Sequence, residues 1–468
     1  MTTASPGFAD LGPLLAPESI AIIGASSDPA RLGGRPLQIL LQHGYGGSIY
    51  PINPGHDTVG GLPAYPSISA APGPVDVAAV IVPASLVVET LRECAAAGVR
   101  SAVVFSSGFA EQGEEGRFAE QQIAEIARSS GMRVVGPNAE GFFNLTDRIP
   151  LTFSPTVDYE RGLSSLVAGN VAVVSQSGGL GFALFNGGQA VGLGASFVVS
   201  TGNEADLGAL EVAAYLLQDP ATDVIALLVE GLRPGEEFGP VATRARGLGK
   251  TIVVAKLGRS TVGAEAAAAH TGHDAGEDEQ YQKAFSQPGV VQVFDQEDLL
   301  DACLALSRPH RPAGRNVGVV TTSGGAGVWL ADACAAAGLD VPKLDAALQA
   351  ELRRLMPSYG SPRNPVDVTA EIVNRAGVVK PLELVLSSPQ IDMVVWIASL
   401  AGPLMLEREE SDIRRVVAST TKPVLIYSYT TPGPASVAAL ARLGLAWYPS
   451  PARAARAAAA LVEAGRHP

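Results

Sequence analysis

One histidine of this chain lies in a segment whose composition favours a chemical role. His270 follows the alanine-rich stretch 266–269, and Arg259 lies between that stretch and a strand-like apolar run at 251–255. A lone histidine is usually packed in a core or solvated. One that follows a strand, lies near an arginine and lies across from an anion-binding turn is instead a candidate for catalysis, because a neutral imidazole is nucleophilic near pH 7.

Two glycine-rich turns are candidates for that anion site. Ser177-Gly178-Gly179 and Ser323-Gly324-Gly325 each end a valine-rich run and precede a helix-like segment. Glycines at such a point leave backbone N–H groups exposed at a helix N-terminus, where phosphate is stabilised. The alternative is an ordinary strand-to-helix turn that needs small residues, and it stays open for the second turn in particular.

A third turn has the composition of a nucleotide-phosphate site. Its candidate ligands follow the apolar run 19–23 and are Gly24, Ser26, Ser27 and Arg31. The turn lacks the G-x-G-x-x-G spacing of dinucleotide sites, and the next strand-like segment ends in Asn53-Pro54, where such a site has an acidic residue for the ribose. This disfavours NAD more than an anionic adenine nucleotide such as CoA. A helix-entry turn without a ligand remains the alternative.

Composition limits the class of protein. The chain has 468 residues, 47% hydrophobic and 17% charged, with a formal net charge of −13. This length suits three folded domains, and the acidic balance argues against nucleic-acid binding, which needs a basic surface. Cys94, Cys303 and Cys334 are odd in number and far apart, as expected in the reducing cytoplasm. Neither a signal-peptide pattern nor an apolar run of about 18 residues is found, so we expect a cytoplasmic protein without membrane association.

Strand and helix patterns alternate through the first part of the chain. Strands are predicted at 19–24, 48–54, 76–82, 101–105 and 132–135, and helices at 36–44, 86–98 and 118–130. Short apolar strands separated by helices predict a parallel sheet with helices on both faces. The ligand of such a Rossmann-like domain is expected at the carboxyl ends of the strands.

The rest of the chain contains an internal repeat. Residues 170–181 align with residues 316–327, at an offset of 316 − 170 = 146, and strand-like segments 250–254 and 422–426 also correspond. Two flavodoxin-like domains with parallel sheets are therefore expected after the Rossmann-like domain, giving an α/β protein. The predicted domains are residues 1–148, 149–310 and 311–468. The segment that follows residues 250–254 contains His270, whereas the corresponding segment after residues 422–426 contains no histidine.

Eight segments carry a family resemblance: residues 22–26, 50–54, 136–138, 175–181, 202–206, 258–260, 270–272 and 364–367. Together they resemble the NDP-forming acyl-CoA synthetases, the family of the ADP-forming acetyl-CoA synthetase α subunit and of succinyl-CoA synthetase. The resemblance runs from about Pro17 to the C-terminus. It implies that the Rossmann-like domain binds CoA.

The resemblance also implies a reaction and its residues. Phosphate attacks acyl-CoA to give an acyl phosphate and free CoA, a histidine takes the phosphoryl group, and the phosphohistidine passes it to ADP. The histidine corresponds to His270 and its supporting glutamate to Glu230, although Glu230 could also be an ordinary carboxylate at a strand end. The helix start at Ser177, Gly178 and Gly179 would stabilise the phosphoryl charge. CoA-binding residues are expected at Gly24, Ser26, Ser27, Arg31, Asn53, Pro54, Val82, Pro83, Ser106, Ser107, Gly108, Phe109, Pro137 and Asn138.

The internal repeat leaves no room in this chain for a nucleotide-binding domain, and this bears on its partners. It accounts for both C-terminal domains, so the family's ATP-grasp domain is not recognisable in this chain. The resemblance implies a separate ATP-grasp β subunit that binds ADP or ATP with Mg²⁺, an α2β2 assembly, a small carboxylic acid or acyl-CoA as substrate, and no metal site in this chain. A non-catalytic CoA or acyl-CoA sensor or scaffold of the same fold is the alternative. An NAD-dependent oxidoreductase is disfavoured by Asn53 and by the histidine-bearing repeat.

One departure from the family pattern concerns the substrate. The family usually has Cys-Leu after Gly-Pro-Asn, whereas this chain has Ala139-Glu140. The resemblance implies that this position lies beside the CoA thiol and the acyl group. The sequence therefore leaves the identity of the acyl group open.

Overall fold

The structure, a computed structural model, describes residues 10–160, 166–233, 235–271, 276–371 and 377–465, and at 269–271 it describes the backbone alone. The chain forms two compact units. The first consists of Met1–Gln189 and Gly194–Gln287, and the second of Ala190–Leu193 and Pro288–Pro468.

The first unit begins with a parallel sheet. Its strands and a short hairpin are β1 Ser19–Ile23, β2 Ser48–Ile52, β3 Thr58–Val59, β4 Leu62–Pro63, β5 Val77–Val80, β6 Ser101–Val104 and β7 Arg133–Val135. Five strands pair in the order β2-β1-β5-β6-β7, all parallel, and β3 pairs with β4. The helices are α1 Gly12–Leu15, α2 Arg35–Gln42, α3 Ala84–Ala96 and α4 Glu114–Ser130.

Burial explains why these segments form a doubly covered sheet. Strands β1, β5 and β6 are buried along their whole length. Their apolar residues pack against the inward faces of α3 and α4, where Leu91 and Ile123 are fully buried. Apolar strands covered on both faces are typical of parallel sheets. The α/β class predicted from the sequence is confirmed.

The second sheet of the first unit is mixed. Its strands are β8 Gly141–Asn144, β9 Ile149–Thr152, β10 Ala168–Ser175, β11 Ala195–Ser200, β12 Val224–Val229 and β13 Thr251–Lys256. They lie in the order β13-β12-β10-β11-β8-β9, and the first four are parallel. The helices are α5 Gly178–Ala190, α6 Ala209–Leu216, α7 Phe238–Gly247, α8 Thr261–Thr271 and α9 Asp278–Phe285.

The hairpin of β8 and β9 departs from the all-parallel sheet that was predicted. Strand β8 pairs antiparallel with β11 and with β9. Antiparallel neighbours need only a short turn, whereas parallel neighbours need a long crossover. Strand β8, which the predicted boundary at residue 148 left in the first domain, therefore extends the second sheet.

The second unit contains a parallel sheet of the predicted flavodoxin-like kind. The strands within this unit are β14 Val290–Val293, β15 Val317–Thr321, β16 Val366–Asp367, β17 Met393–Ala398, β18 Val424–Ser428 and β19 Ala446–Tyr448. The last five pair in the order β16-β15-β17-β18-β19, all parallel. Its helices are α10 Gln296–Leu306, α11 Gly324–Ala336, α12 Ala346–Arg353, α13 Val379–Ser387, α14 Leu404–Arg408, α15 Glu410–Ser419, α16 Pro434–Leu443 and α17 Pro451–Ala464. The fully buried Trp396 belongs to its core.

Candidate functional site

Gly24 ends β1 in a conformation that favours glycine. Its φ is +86°, and a Cβ atom there would lie 2.2 Å from the carbonyl oxygen of Ile81. Its N–H donates to the carbonyl of Ile52 over 3.2 Å. The turn thus crosses the ends of β2 and β5 in direct backbone contact, which a side chain at this position would prevent.

A cavity of about 450 Å³ opens at this edge of the first sheet. Its lining follows β1, β2, β5 and β6, where a doubly wound sheet binds its ligand. The predicted CoA-binding residues that line it are Gly24, Ser26, Arg31, Asn53, Val82, Pro83, Ser106 and Ser107. His56 also lines the cavity, on the same turn as Asn53, and was not predicted from the sequence. Its position just after the end of β2 is the sequence feature that could have identified it.

Three of the predicted CoA-binding residues lie away from the lining. The Ser27 hydroxyl accepts a hydrogen bond from the Gly60 N–H over 3.0 Å, which ties it to the turn of the β3–β4 hairpin. Pro54 is exposed. Phe109 is fully buried in the hydrophobic core of the first sheet. Phe109 is therefore a core residue that does not line the cavity.

Gly108, Pro137 and Asn138 also lie outside the lining but belong to turns at the cavity. The Asn138 N–H donates to the carbonyl of Ser106 over 2.9 Å, which links the turn after β7 to a lining residue. The Gly108 N–H donates to the Glu111 carboxylate over 2.6 Å. These bonds fix the backbone around Ser106 and Ser107.

The polar side chains of the cavity differ in how firmly they are held. Asn53 donates from Nδ2 to the carbonyl of Ala25 and accepts from the Gly55 N–H, each over 2.9 Å. Its amide thus holds two turns together. The Arg31 side chain is 77% exposed and lies 3.7 Å from Asp28, a contact too exposed to fix it. Arg31 is therefore the lining cation that can move to meet a ligand phosphate.

The loop after β11, residues 201–206, joins the cavity to the second sheet, and we call it the bridging loop. Gly202 has φ of +62°, and a Cβ there would lie 2.3 Å from the carbonyl oxygen of Pro137. Asn203 donates from Nδ2 to the Glu111 carboxylate over 2.8 Å. Since Glu111 also holds Gly108, the bridging loop fixes the turns beside the cavity.

Helix α5 begins at the predicted phosphate-binding turn. The Ser175 hydroxyl donates to the carbonyl of Ser177 over 2.6 Å, which shapes the turn. The Glu140 carboxylate lies against the helix start, since a Cβ on Gly178 would be 3.0 Å from Glu140 Oε2. Burial raises the pKa of the Glu140 carboxyl, and a hydrogen bond from Ser154 opposes that rise. A carboxylate at a helix N-terminus occupies a place that favours anions.

Glu230 follows β12 and is buried. Its N–H donates to Gln176 Oε1 over 2.5 Å, and its carbonyl accepts from Lys256 Nζ over 2.7 Å. The Lys256 ammonium lies 4.6 Å from the centroid of the Tyr281 ring, a cation–π contact. Because Gln176 directly precedes Ser177, the predicted glutamate and the predicted phosphate-binding turn lie beside each other.

His270 is the penultimate residue of α8, and its side chain lies outside the described residues. All of His273 lies outside them as well. Arg259, before α8, pairs with Asp278 at the start of α9 over 3.1 Å. The acidic residues 277–279 thus lie at the start of α9.

A carboxylate, that of Asp367, also lies against the second glycine-rich turn, which is in the second unit. A Cβ on Gly324 would lie 2.7 Å from Asp367 Oδ2. The Asp367 side chain also accepts from the Thr369 N–H over 2.9 Å. A carboxylate thus lies beside the helix start at both glycine-rich turns.

Membrane-spanning helices and metal sites are both absent from the part of the chain that the structure describes. No helix in that part of the chain is long and apolar enough to cross a membrane. Within the same residues, no group of three or more His, Cys, Asp or Glu side chains could hold a metal ion.

Three protein-family descriptions match successive parts of the chain. A CoA binding domain matches residues 18–144, a succinyl-CoA ligase like flavodoxin domain matches residues 168–306, and a Ligase-CoA domain matches residues 317–427.

Proteins from two archaea are similar over nearly their whole length. The alpha subunit of the ADP-forming acetate–CoA ligase II of Pyrococcus furiosus is 34% identical to this chain, and the match covers 96% of this chain and 97% of the relative. The alpha subunit of ligase I of the same organism is 35% identical, over 96% of each chain. The dinucleotide forming acetyl-coenzyme A synthetase 1 of Ca. Korarchaeum cryptofilum, solved in complex with phosphate and ADP, has a TM-score of 0.85 and 35% identity, over 97% of each chain.

Proposed function

The chain belongs to the NDP-forming acyl-CoA synthetases, of which it is an alpha chain, and we propose that it binds CoA in the cavity of the first sheet and forms a phosphohistidine at His270. The observation that carries the proposal is a chain of contacts. The bridging loop contacts the turns at the cavity, and Gln176 joins the Ser177 turn to Glu230. CoA and phosphoryl chemistry would thus share one continuous site.

The proposed reaction has three steps. A phosphate oxygen attacks the thioester carbonyl of acyl-CoA, the C–S bond breaks, and acyl phosphate and CoA form. The imidazole of His270 then attacks phosphorus, and the carboxylate leaves with the electron pair of the P–O bond. Finally the phosphoryl group passes from the histidine to ADP, which gives ATP and restores the imidazole.

The residues near α5 have complementary roles in this scheme. The N–H groups at Ser177, Gly178 and Gly179 stabilise the transferred phosphoryl group, because the start of a 13-residue helix carries positive partial charge. The Glu230 carboxylate orients the imidazole by accepting a hydrogen bond from the N–H of the ring nitrogen that does not react. Arg31 pairs with a CoA phosphate at the cavity rim.

A second subunit completes the proposed enzyme. The matched domains cover residues 18–144, 168–306 and 317–427, and the P. furiosus relatives are named as alpha subunits. We therefore infer an ATP-grasp β subunit that binds ADP with Mg²⁺, in an α2β2 assembly. Because those relatives are named acetate–CoA ligases, a small carboxylic acid is the proposed substrate, and acetyl-CoA is the first probe. The three cysteines are buried and free, which supports a cytoplasmic setting.

The test is detection of the phosphoenzyme by intact mass. The full chain is incubated with acetyl-CoA and phosphate, or with ATP and the β subunit, and kept alkaline because phosphohistidine is acid-labile. The wild-type chain should gain one phosphoryl group, and His270→Ala should not, while both bind CoA equally.

His273→Ala is the matched control, because it removes a histidine from the same segment. It should retain the phosphoenzyme. Label that persists in His270→Ala but disappears in His273→Ala would move the role to His273. Absence of label from every form with the partner present, while CoA still binds, would contradict the proposed chemistry.

A further inference from the structure

We propose that Gln176 and Glu204 are positioning residues that orient the segment carrying Glu230, a role that rests on the proposed function of Glu230. Strand β12 ends at Val229, so Glu230 leaves the sheet without the strand hydrogen bonds of β12. Lys256 holds its carbonyl from the β13 side. On the β10 side, the side-chain amide of Gln176 takes the place of a strand backbone.

Both the oxygen and the nitrogen of the Gln176 side-chain amide form hydrogen bonds. Its Oε1 accepts from the N–H groups of Glu230 and Gly231, over 2.5 and 3.0 Å. Its Nε2 donates to the Gly231 carbonyl over 2.7 Å and to Glu204 Oε2 over 2.9 Å. Turning the amide over would set donors against donors and acceptors against acceptors. The orientation of Gln176 is therefore fixed by its partners, and it fixes Glu230 and Gly231 in turn.

Glu204 holds Gln176 from the bridging loop. Its carboxylate is buried, and Oε1 accepts from the Thr201 hydroxyl over 2.7 Å and from the Ala209 N–H over 2.8 Å. With the bond from Gln176, three donors converge on this carboxylate. The backbone of Glu204 has a φ of +59°, which lies in the left-handed region, where a residue with a side chain is strained. The three hydrogen bonds hold Glu204 in that conformation.

The charged groups facing Glu204 are Arg233 and Glu236. The Arg233 guanidinium donates to the Glu204 carbonyl over 3.3 Å and pairs with Glu236 over 2.6 Å. Burial raises the pKa of Glu204 to about 7. The hydrogen bonds from Thr201 and Gln176 oppose that rise, Glu236 adds to it and Arg233 opposes it. The strength of the contact between Gln176 and Glu204 therefore changes near neutral pH.

The neighbouring residue of the bridging loop faces the opposite way. Asn203 donates to Glu111 and to Glu120, both over 2.8 Å, on the side of the CoA cavity. Adjacent residues of one loop thus contact the turns at the cavity and the support of Glu230. This sets the spacing between the two halves of the proposed active site.

The first experiment compares phosphoenzyme formation from acetyl-CoA and phosphate with CoA affinity from calorimetry, for the full chain with its partner. Gln176→Ala should lower the rate about 100-fold, the scale expected when a reacting group is misplaced by about 1 Å. The CoA dissociation constant should stay within about twofold. The matched control is Gln189→Ala, since Gln189 also bonds a backbone through both ends of its amide, over 2.6 and 3.0 Å to Val167. Gln189→Ala should leave the rate unchanged.

A reciprocal exchange separates positioning from a structural defect. In Glu204→Gln the new amide oxygen can still accept the hydrogen bonds from Thr201 and Ala209. Its NH₂ group then faces the NH₂ group of Gln176, so the rate should fall. In Gln176→Glu two carboxylates face each other, and the donor to the Gly231 carbonyl is lost. The double variant Gln176→Glu/Glu204→Gln lacks that donor too, but its amide at position 204 can donate to the carboxylate at position 176. The double variant should therefore regain about tenfold in rate over Gln176→Glu.

The outcomes discriminate between the two proposals. A rate in Gln176→Ala equal to wild type, or a double variant no faster than Gln176→Glu, would overturn the positioning role while the phosphohistidine chemistry stands. Loss of CoA binding in parallel with the rate would also overturn it. A wild-type enzyme that forms no phosphohistidine would overturn the proposed function and this inference with it.

Discussion

Glu140 and Gly178 are in contact at the start of α5: a Cβ on Gly178 would lie 2.7 Å from the Cβ of Glu140 and 3.2 Å from the Ser200 hydroxyl. The backbone of Glu140 is fixed there, because its N–H donates to the same hydroxyl over 3.0 Å. Helix α5 can begin at this point only because Gly178 has no side chain.

Gly178→Ala should therefore cost stability and activity together. The methyl group meets a backbone-anchored side chain, so α5 or Glu140 must shift, at a cost of about 1–3 kcal/mol in unfolding free energy. Urea unfolding measures that cost, and the phosphoenzyme assay measures the effect on the helix start.

Gly179→Ala is the matched control, because a Cβ on Gly179 meets nothing within 4 Å. It should leave stability unchanged or slightly raised. Equal losses from both variants would show that the contact with Glu140 is not the reason for glycine at position 178.

Glu140→Gln should strengthen phosphate binding. An ionised carboxylate beside the helix start repels the incoming phosphate, and an amide does not. Burial raises the pKa of Glu140, so its charge is present above that pKa and lost below it. The gain should therefore be about threefold to tenfold at pH 8 and smaller at pH 5.

The KM for phosphate at the two pH values measures this effect, with the exposed Glu115→Gln as control. A Glu140→Gln enzyme with weaker phosphate binding at pH 8 would mean that the carboxyl helps to hold phosphate instead of repelling it.

Arg31→Glu should weaken CoA binding by about tenfold or more, because it replaces a charge-assisted contact with repulsion. Calorimetry with CoA checks the loss, and NAD should not compete. Arg128→Glu is closely matched, since Arg128 is 78% exposed and also pairs with an acidic residue three positions away. Equal weakening by both variants would indicate a general charge effect, and tight NAD binding without CoA binding would contradict the CoA site.

The sequence predicted the local elements of the sheets well, because strands such as β1 and β12 are short apolar runs between turns. It missed the hairpin of β8 and β9. Strand β8 has only four residues, and its pairing with β11 is a long-range contact that no local pattern reveals. Aromatic residues such as Phe142 are compatible with a core position in several elements.

The candidate site was predicted in its individual residues and not in its hydrogen-bond network. Turn glycines such as Gly24 could be identified because their backbone geometry excludes side chains. The link from Gln176 to Glu204 depends on the register that pairs Ser175 with both Ser200 and Leu228. That register sets the ends of three strands side by side, and only the folded sheet reveals it.

The pH dependence of stability offers a last test, through Glu204. Burial raises its pKa from 4.5 to about 7, so the folded state binds a proton more tightly than the unfolded state. The stabilisation is fully present below pH 4.5 and is lost as the pH rises through 7, by on the order of 3 kcal/mol. Glu204→Gln should flatten this decline in urea unfolding between pH 5 and 8, whereas the exposed Glu115→Gln should not. A decline as steep in Glu204→Gln as in the wild type would assign the titration to another group and remove the reason to expect pH-sensitive contact with Gln176.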